Sequence, residues 1–301
     1  MCDMRPTLYV MCGLSGSGKT STAKKIAKSN NAVIVSSDEI REEITGTVKD
    51  QSKNNEVFQI FHKRIKDNLV SGKSVIADAT NLTMKSRRRI LSPLQGMDIR
   101  KVCVITPKKY EDCLEDNKKN RDHPVPEEVI KKQMYKFQVP FLEEGFDNIQ
   151  ITVDENKYYA DNCELELIMM KGFDQKNPHH TLSLGDHCRK SFVLLRNSTI
   201  GIIQSFYLIG AELHDIGKVL TQTFDEDGIA HYYNHENVGS YFLLSQHADY
   251  YKIIDICFLV NYHMLPFQWN TEKARNKYRR IFGRYKYELL MDFHECDLAA
   301  K

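Results

Sequence analysis

Short apolar runs alternate with longer amphipathic ones through the first half of the chain. Thr7–Cys12 is an apolar run of strand length, and Ala32–Val35, Ser74–Ala77 and Val102–Ile105 repeat the pattern. Between them lie charged stretches with helical spacing over 52–71, 84–93 and 108–119, and a further helix is expected over Lys19–Ser29. Strands that alternate with helices predict a parallel sheet with helices on both faces. A last strand is expected at Ile149–Val153. Residues 154–178 are polar and end in Lys-Asn-Pro, the composition of a connector. From His179 onward strand alternation fades, and the apolar spacing in 191–220, 236–246, 251–261 and 284–293 suits helices. The pattern therefore predicts an α/β domain over 1–153, a connector over 154–172 and an all-α domain over 173–301.

Composition adds exclusions. With 301 residues, 42% hydrophobic and 27% charged, the chain has the makeup of a soluble globular protein with room for two cores. No run of eighteen apolar residues occurs, so no membrane helix is expected. The opening Met-Cys-Asp-Met-Arg-Pro runs straight into a strand and leaves no room for a signal peptide. Eight cysteines are scattered without a C-x-x-C pair, which points to reduced cytoplasmic thiols rather than a disulfide or zinc framework. A net charge of +2 means that a polyanion would have to be met by local basic patches. Histidine is unevenly spread: nine of eleven lie between His179 and His294. Two chemistries on one polypeptide are the natural reading.

The first announces itself directly after the first strand. Gly13-Leu-Ser15-Gly16-Ser17-Gly18-Lys19-Thr20 matches G-x-x-x-x-G-K-[ST], with a strand before it and a helix after. Backbone N–H groups of such a loop wrap phosphate oxygens, Lys19 reaches the β- and γ-phosphates, and the Thr20 hydroxyl ligates Mg²⁺. The second strand runs into Asp38, followed by Arg41 one helical turn on, and the third ends in Asp78-Ala-Thr80-Asn81. Carboxylates at a sheet's carboxyl edge face bound ligands. Asp38 there can accept the proton of an attacking hydroxyl while Arg41 holds an acceptor phosphate; either Asp38 or Asp78 can instead cap a following helix. The basic run Lys85, Arg87, Arg88, Arg89 is either a phosphodiester grip or, more often, a solvated helix face.

Over residues 6–150 these motifs resemble the 5′-hydroxyl polynucleotide kinase branch of the P-loop phosphotransferases. The resemblance implies Asp38 as the base, Lys19 and Arg121 as electrostatic clamps on the triphosphate, and Arg41, Asp78, Thr80 and Asn81 at the acceptor. Arg121 stands in Asn120-Arg-Asp-His-Pro-Val-Pro126, which is similar to the family's lid. A further lid arginine has no counterpart here: Glu115, Asp116 and Asn117 occupy the region, with Lys118 and Lys119 as the nearest cations.

The second chemistry is carried by dispersed residues. His214-Asp215 closes an apolar helix and is followed by Lys218; His187 lies upstream, His235 and His263 downstream, and Asp297 near the end. Imidazoles and carboxylates from separate helices are what one or two divalent ions require. The remaining His179, His180, His231, His247 and His294 are better read as hydrogen-bonded core residues. The order H…HD…H…H…D resembles the HD superfamily of metal phosphohydrolases. That resemblance implies His187, His214, Asp215, His235, His263 and Asp297 as ligands, Asp215 bridging, and Lys218 steadying the leaving phosphate. Between His263 and Asp297, Trp269 and a run of lysines and arginines from Lys273 to Lys286 interleave with aromatics. They suit a single-stranded nucleic acid or an amphipathic helix equally.

Kinase and HD modules in one chain resemble the bacterial and phage RNA end-healing enzymes, although the familiar HD-containing version has the reverse order. The resemblance implies a 5′-hydroxyl kinase joined to a 3′-phosphatase or 2′,3′-cyclic phosphodiesterase. It implies ATP or another NTP with Mg²⁺, and one or two of Mn, Fe, Co, Ni, Zn or Mg in the HD site. It also implies RNA or DNA ends as partners, a ligase acting afterwards, and a bacterial or phage-infected cytoplasm; a homo-oligomer is compatible. Two other expectations stand beside it: a small-molecule kinase fused to an HD nucleotidase, and an ATP-gated HD phosphohydrolase.

Overall fold

In the computed structural model, which describes residues 5–153, 162–177, 181–198 and 203–300, the apolar runs of the first half pair in parallel. β1 (Thr7–Cys12) enters the Gly-rich turn and leaves it as α1 (Lys19–Asn30). β2 (Val33–Ser36) passes without a loop into α2 (Ser37–Thr45), then α3 (Asn54–Val70) returns the chain to β3 (Val75–Asp78). α4 (Met84–Leu91), β4 (Arg100–Ile105), α5 (Tyr110–Lys119), α6 (Glu127–Met134) and β5 (Asn148–Ile151) follow. The strand order is β2–β3–β1–β4–β5, with Val10 opposite both Ala77 and Cys103. Met11, Ile76, Val102 and Val104 pack with Ala23 of α1. The alternate set Leu8, Val10, Val75 and Ala77 is equally buried, so both sheet faces are covered, as a parallel sheet requires.

α2 is the helix anticipated after the second strand, with Ser36 rather than Asp38 as its cap. Its sequence follows β2 with no turn residue between them, and the break is made by Ser36, whose hydroxyl accepts from Glu39 N at 3.3 Å. The chain divides into two compact units, Met1–Ile130 with Glu144–Val153, and Lys131–Glu143 with Asp154–Lys301. The segment 131–143 thus groups with the later residues. Within the expected connector, 154–161 lie outside the described residues and α7 (Glu164–Met170) occupies part of the rest.

The second unit is helical, with α8 (Leu184–Arg196), α9 (Ser205–Leu213), α10 (Gly217–Thr221), α11 (His235–Gln246), α12 (Ile253–Tyr262) and α13 (Glu272–Ala299). An all-α domain was expected, but a small antiparallel hairpin, β6 (Thr223–Phe224) with β7 (Ala230–His231), interrupts the helices. α9 packs on α8 and α12, α11 on α10 and α12, and α13 on α8. Among the described residues no helix is long and apolar enough to cross a membrane.

Arg87 corrects the basic-run expectation. It is fully buried, donates to both Glu144 oxygens at 2.8 and 2.6 Å, and caps the Asn81 carbonyl at 3.1 Å. Such a pair tolerates replacement of both partners better than loss of one. Glu144→Gln is expected to destabilise the first unit by about 3–5 kcal/mol. Urea denaturation measures this, and the double change Arg87→Met with Glu144→Leu should recover most of it. A loss under about 1 kcal/mol for the single variant would contradict the assignment.

Candidate functional sites

The carboxyl ends of β1–β4 line up, with Ser36 opposite Asp78 and Cys12 opposite Ile105. The Gly-rich turn rises from that edge. Gly13 N donates to the Thr80 carbonyl at 3.1 Å, and Ser17 and Thr106 share a 2.7 Å hydroxyl contact across the base of the loop. Gly16 has φ +85°, and a Cβ there would stand 2.0 Å from the Cys113 carbonyl oxygen, so only glycine lets α5 approach the loop. Lys19 opens α1, and its Nζ donates to the Leu14 carbonyl at 2.7 Å. The Leu14 carbonyl thereby holds within the loop the ammonium that would meet a phosphate.

Thr20 Oγ1 donates to Asp78 Oδ2 at 3.1 Å. Burial pushes the Asp78 carboxyl up, more than the Lys19 ammonium pulls it down. Burial likewise pushes Lys19 down, against the pull of Asp78 and with the help of the Arg121 guanidinium. Arg121, on the segment after α5, is therefore close enough for its charge to be felt at both. Asn117 holds that segment, donating to the Val125 carbonyl at 2.8 Å and accepting from Val125 N at 3.1 Å.

Neither aspartate is a cap. Ser36 caps α2 and Thr83 caps α4 through a reciprocal pair with Ser86. Asp38 is half-exposed and accepts from Arg41 Nη1 at 3.1 Å; Arg41 is buried, donates Nη2 to Asn54 at 2.8 Å and leaves its Nε–H without a partner. Thr80 is partly exposed at the same edge. Asn81, at φ +44°, is buried with its amide donating to the Met11 carbonyl at 2.8 Å, so it ties the ends of β3 and β1 together. Thr106 went unremarked in the sequence because a lone hydroxyl after a strand carries no pattern.

In the second unit all six dispersed residues converge. His187 sits on α8, His214 and Asp215 follow α9, His235 opens α11, His263 closes α12 and Asp297 lies in the last turns of α13. Asp215 divides its oxygens. Oδ2 lies 3.3 Å from His214 Nε2 and 3.7 Å from His187 Nε2, while Asp297 Oδ1 is 2.9 Å from His187 Nε2 and 3.3 Å from His214 Nε2. Oδ1 lies 3.0 Å from His235 Nε2 and 3.6 Å from His263 Nε2, and those two nitrogens are 3.4 Å apart. Gly217 makes this possible: a Cβ there would stand 2.0 Å from the His235 carbonyl, so α10 and α11 meet only at glycine.

Every ring turns Nδ1 away from the centre. The partners are the carbonyls of Ala300, Ala211, Tyr232 and Val260, at 3.4, 2.9, 2.9 and 2.8 Å from His187, His214, His235 and His263. An Nδ1–H donated to a carbonyl leaves Nε2 as a lone pair, the usual arrangement of metal-ligating histidine. His214 Nε2 is buried with no hydrogen-bond partner. Metal–ligand bonds of about 2.0–2.2 Å place neighbouring donors about 2.8–3.6 Å apart, a range that holds all of these separations but the 3.7 Å between His187 and Asp215. The donor set fits one or two divalent cations, with Asp215 between them. Burial pushes the Asp215 carboxyl up, yet the Lys218 ammonium beside it holds it well below the usual carboxylate range. Lys218 Nζ lies 2.7 Å from Asp215 Oδ2 and 2.9 Å from Gln175 Oε1. Cys188 Sγ also stands within 4.8 Å of donor atoms of His214 and Asp215.

The other histidines serve elsewhere. His231 pairs with Asp225 at 2.9 Å and His247 with Glu166 at 3.0 Å; His179 and His180 lie outside the described residues. The aromatic part of the basic run turns inward. Trp269 is buried and stacked on Tyr287 and Tyr278 at 4.9 and 5.1 Å, and Lys286 is buried against Glu143 at 2.7 Å.

Residues 8–140 match the AAA domain family. Together with the loop geometry this makes the segment a P-loop kinase-like domain. Similar solved structures include a gluconokinase from Sinorhizobium meliloti 1021, at 19% identity and a TM-score of 0.37 over 51% of this chain and 85% of that one. A chain of the Pnkp1/Rnl/Hen1 RNA repair complex is 21% identical with a TM-score of 0.41. The match takes in 52% of each chain, so this protein spans about half the length of that one.

Proposed function

We propose that the chain is a bifunctional nucleic-acid end-healing enzyme, an ATP-dependent 5′-hydroxyl kinase joined to an HD-type metal phosphohydrolase acting on 3′-phosphate or 2′,3′-cyclic phosphate ends, with RNA as the principal substrate. The observation that carries it is the division of Asp215 between two ligand groups on a chain that also bears a phosphate-binding loop. In the transferase, Asp38 takes the proton of the attacking hydroxyl, and Arg41 holds the acceptor's phosphate. Lys19 exchanges the Leu14 carbonyl for phosphate oxygens, Arg121 adds charge from the lid, and Thr20 and Asp78 face the Mg²⁺ that accompanies the triphosphate.

In the hydrolase, His187, His214 and Asp297 would hold one cation and His235 and His263 a second, with Asp215 between. Such ions supply Lewis-acid charge to a phosphoester and acidify water. The chain's own part is orientation: the four carbonyls fix the imidazole tautomers, and Lys218 keeps Asp215 ionised and aligned.

Labelled ATP and a 5′-hydroxyl oligoribonucleotide test the reading. Label is expected on the strand, and Asp38→Ala should lower its transfer by about a hundredfold while sparing hydrolysis of a chromogenic phosphodiester. Label confined to a mononucleoside would replace the polynucleotide acceptor by a small molecule. ATP binding without any transfer would leave the hydrolase as the sole catalyst and sink the kinase half.

A further inference from the structure

The second unit contains another convergence of metal-binding side chains, away from Asp215. Cys163 precedes α7 and Glu166 lies within it, three residues on, so both side chains share a face. His247 closes α11 at the opposite end from His235, about 18 Å away along a helix rising about 1.5 Å per residue. Cys163 Sγ, a Glu166 carboxylate oxygen and a His247 ring nitrogen all lie within 4.8 Å of one another. His247 is fully buried and Glu166 is 2% exposed. His247 Nε2 lies 3.0 Å from Glu166 Oε1, but Glu166 Oε2 is buried without a hydrogen-bond partner.

A buried carboxylate with an unserved oxygen is costly, and glutamate is rarely found so deep unless paired or bound to a metal. We propose that Cys163, Glu166 and His247 form a zinc-type cation site that fastens α7 to the end of α11, separate from the cluster around Asp215. Thiolate, imidazole and carboxylate together suit Zn²⁺ and exclude Mg²⁺ and Ca²⁺, which prefer all-oxygen shells. The charges close: a thiolate and a carboxylate balance one divalent ion. Binding breaks the Cys163 S–H bond, forms a sulfur–metal bond and releases one proton to solvent, with no change of oxidation state.

The fold gives the site a task. α7 is seven residues long and buries only Glu166 and Met170, while Leu165 and Ile168 are 64% and 67% exposed. A single short helix with so little apolar anchoring is marginal by itself, and a three-sided clasp to α11 would hold it. The absence of C-x-x-C hid the site in the sequence, since here the second thiol is replaced by Glu166.

Chelator-treated full-length protein titrated with Co²⁺ provides the test. A thiolate-to-cobalt charge-transfer band in the near ultraviolet is expected, and Cys163→Ser should lose it together with about one equivalent of tightly bound Zn²⁺. A band that persists in Cys163→Ser belongs to another thiol, and a band absent from the wild type leaves no thiolate ligand; either result overturns the proposal. Should Cys163→Ser fail to fold, alkylation of the wild-type chain by iodoacetamide decides. Zn²⁺ is expected to slow modification at Cys163 at least tenfold, mapped by mass spectrometry, and equal rates with and without Zn²⁺ overturn the site.

Discussion

Asp215→Asn is expected to lower phosphodiester hydrolysis on the order of ten-thousandfold while leaving ATP-dependent transfer at the wild-type rate. Among the described residues Asp215 is the one side chain whose two oxygens face both histidine groups, His214 and His187 on one side and His235 and His263 on the other. An amide keeps the shape but removes the negative charge from both positions at once. Loss of a single preorganised electrostatic partner costs about 10²–10³ in rate, and here two positions are struck together. The change also leaves the Lys218 ammonium buried without its counter-charge, which costs about 3–5 kcal/mol of stability. A melt must therefore accompany the assay. His235→Ala provides the independent arm, because it keeps the 2.7 Å Lys218–Asp215 pair and strikes only the second ligand group. Metal content by mass spectrometry and turnover should fall together in both variants. A folded Asp215→Asn protein that hydrolyses the diester at an undiminished rate would refute the assignment.

What could be read in advance divides along physical lines. Strands of a parallel sheet buried on both faces show as short apolar runs, so β1 through β5 were visible to within a few residues. The phosphate-binding loop was visible because its chemistry is local: glycines, Lys19 and Thr20 act within one turn. The order of His187, His214-Asp215, His235, His263 and Asp297 was equally visible. What the order does not contain is the direction of each Nε2, which depends on carbonyls of Ala211, Tyr232 and Val260 that any residue would supply.

Non-local partners account for most of what stayed hidden. Arg87 reads as one more cation in a basic run until Glu144, far along the chain, is brought against it. Lys286 and Trp269 likewise look like surface residues in a charged helix, and become interior ones only when Glu143 and the neighbouring tyrosines close over them. The Glu166–His247 pair belongs to the same class: His247 reads as a hydrogen-bonded core residue, as it is, but nothing near it in the sequence names Glu166 as the partner. The cap of α2 escaped for the opposite reason, being so local that the hydroxyl of Ser36 takes the place that Asp38, two residues on, could have filled.

Lys19→Ala is expected to lower strand labelling from ATP on the order of ten-thousandfold with hydrolysis by the second unit unchanged. The ammonium is buried at the mouth of the loop and already desolvated, since burial pushes its proton affinity down. A charge stripped of water interacts far more strongly with a phosphoryl group than one at the surface, and clamps of this kind on a transferring phosphoryl contribute about 10³–10⁵ in rate. Truncation has a second consequence. Asp78 loses the cation that opposes its burial, so its carboxyl should take up a proton more readily and offer Thr20 and Mg²⁺ a weaker partner. Lys19→Arg separates the two effects, because it restores the charge but not the shape: the Leu14 carbonyl receives a compact Nζ at 2.7 Å, and a planar guanidinium presents its donors in a different, fixed geometry. Arginine should therefore rescue the nucleotide Kd, read with a fluorescent ATP analogue, more than it rescues turnover. Equal rescue of both would mean that Lys19 supplies charge alone, and wild-type labelling by Lys19→Ala would remove the loop from the reaction.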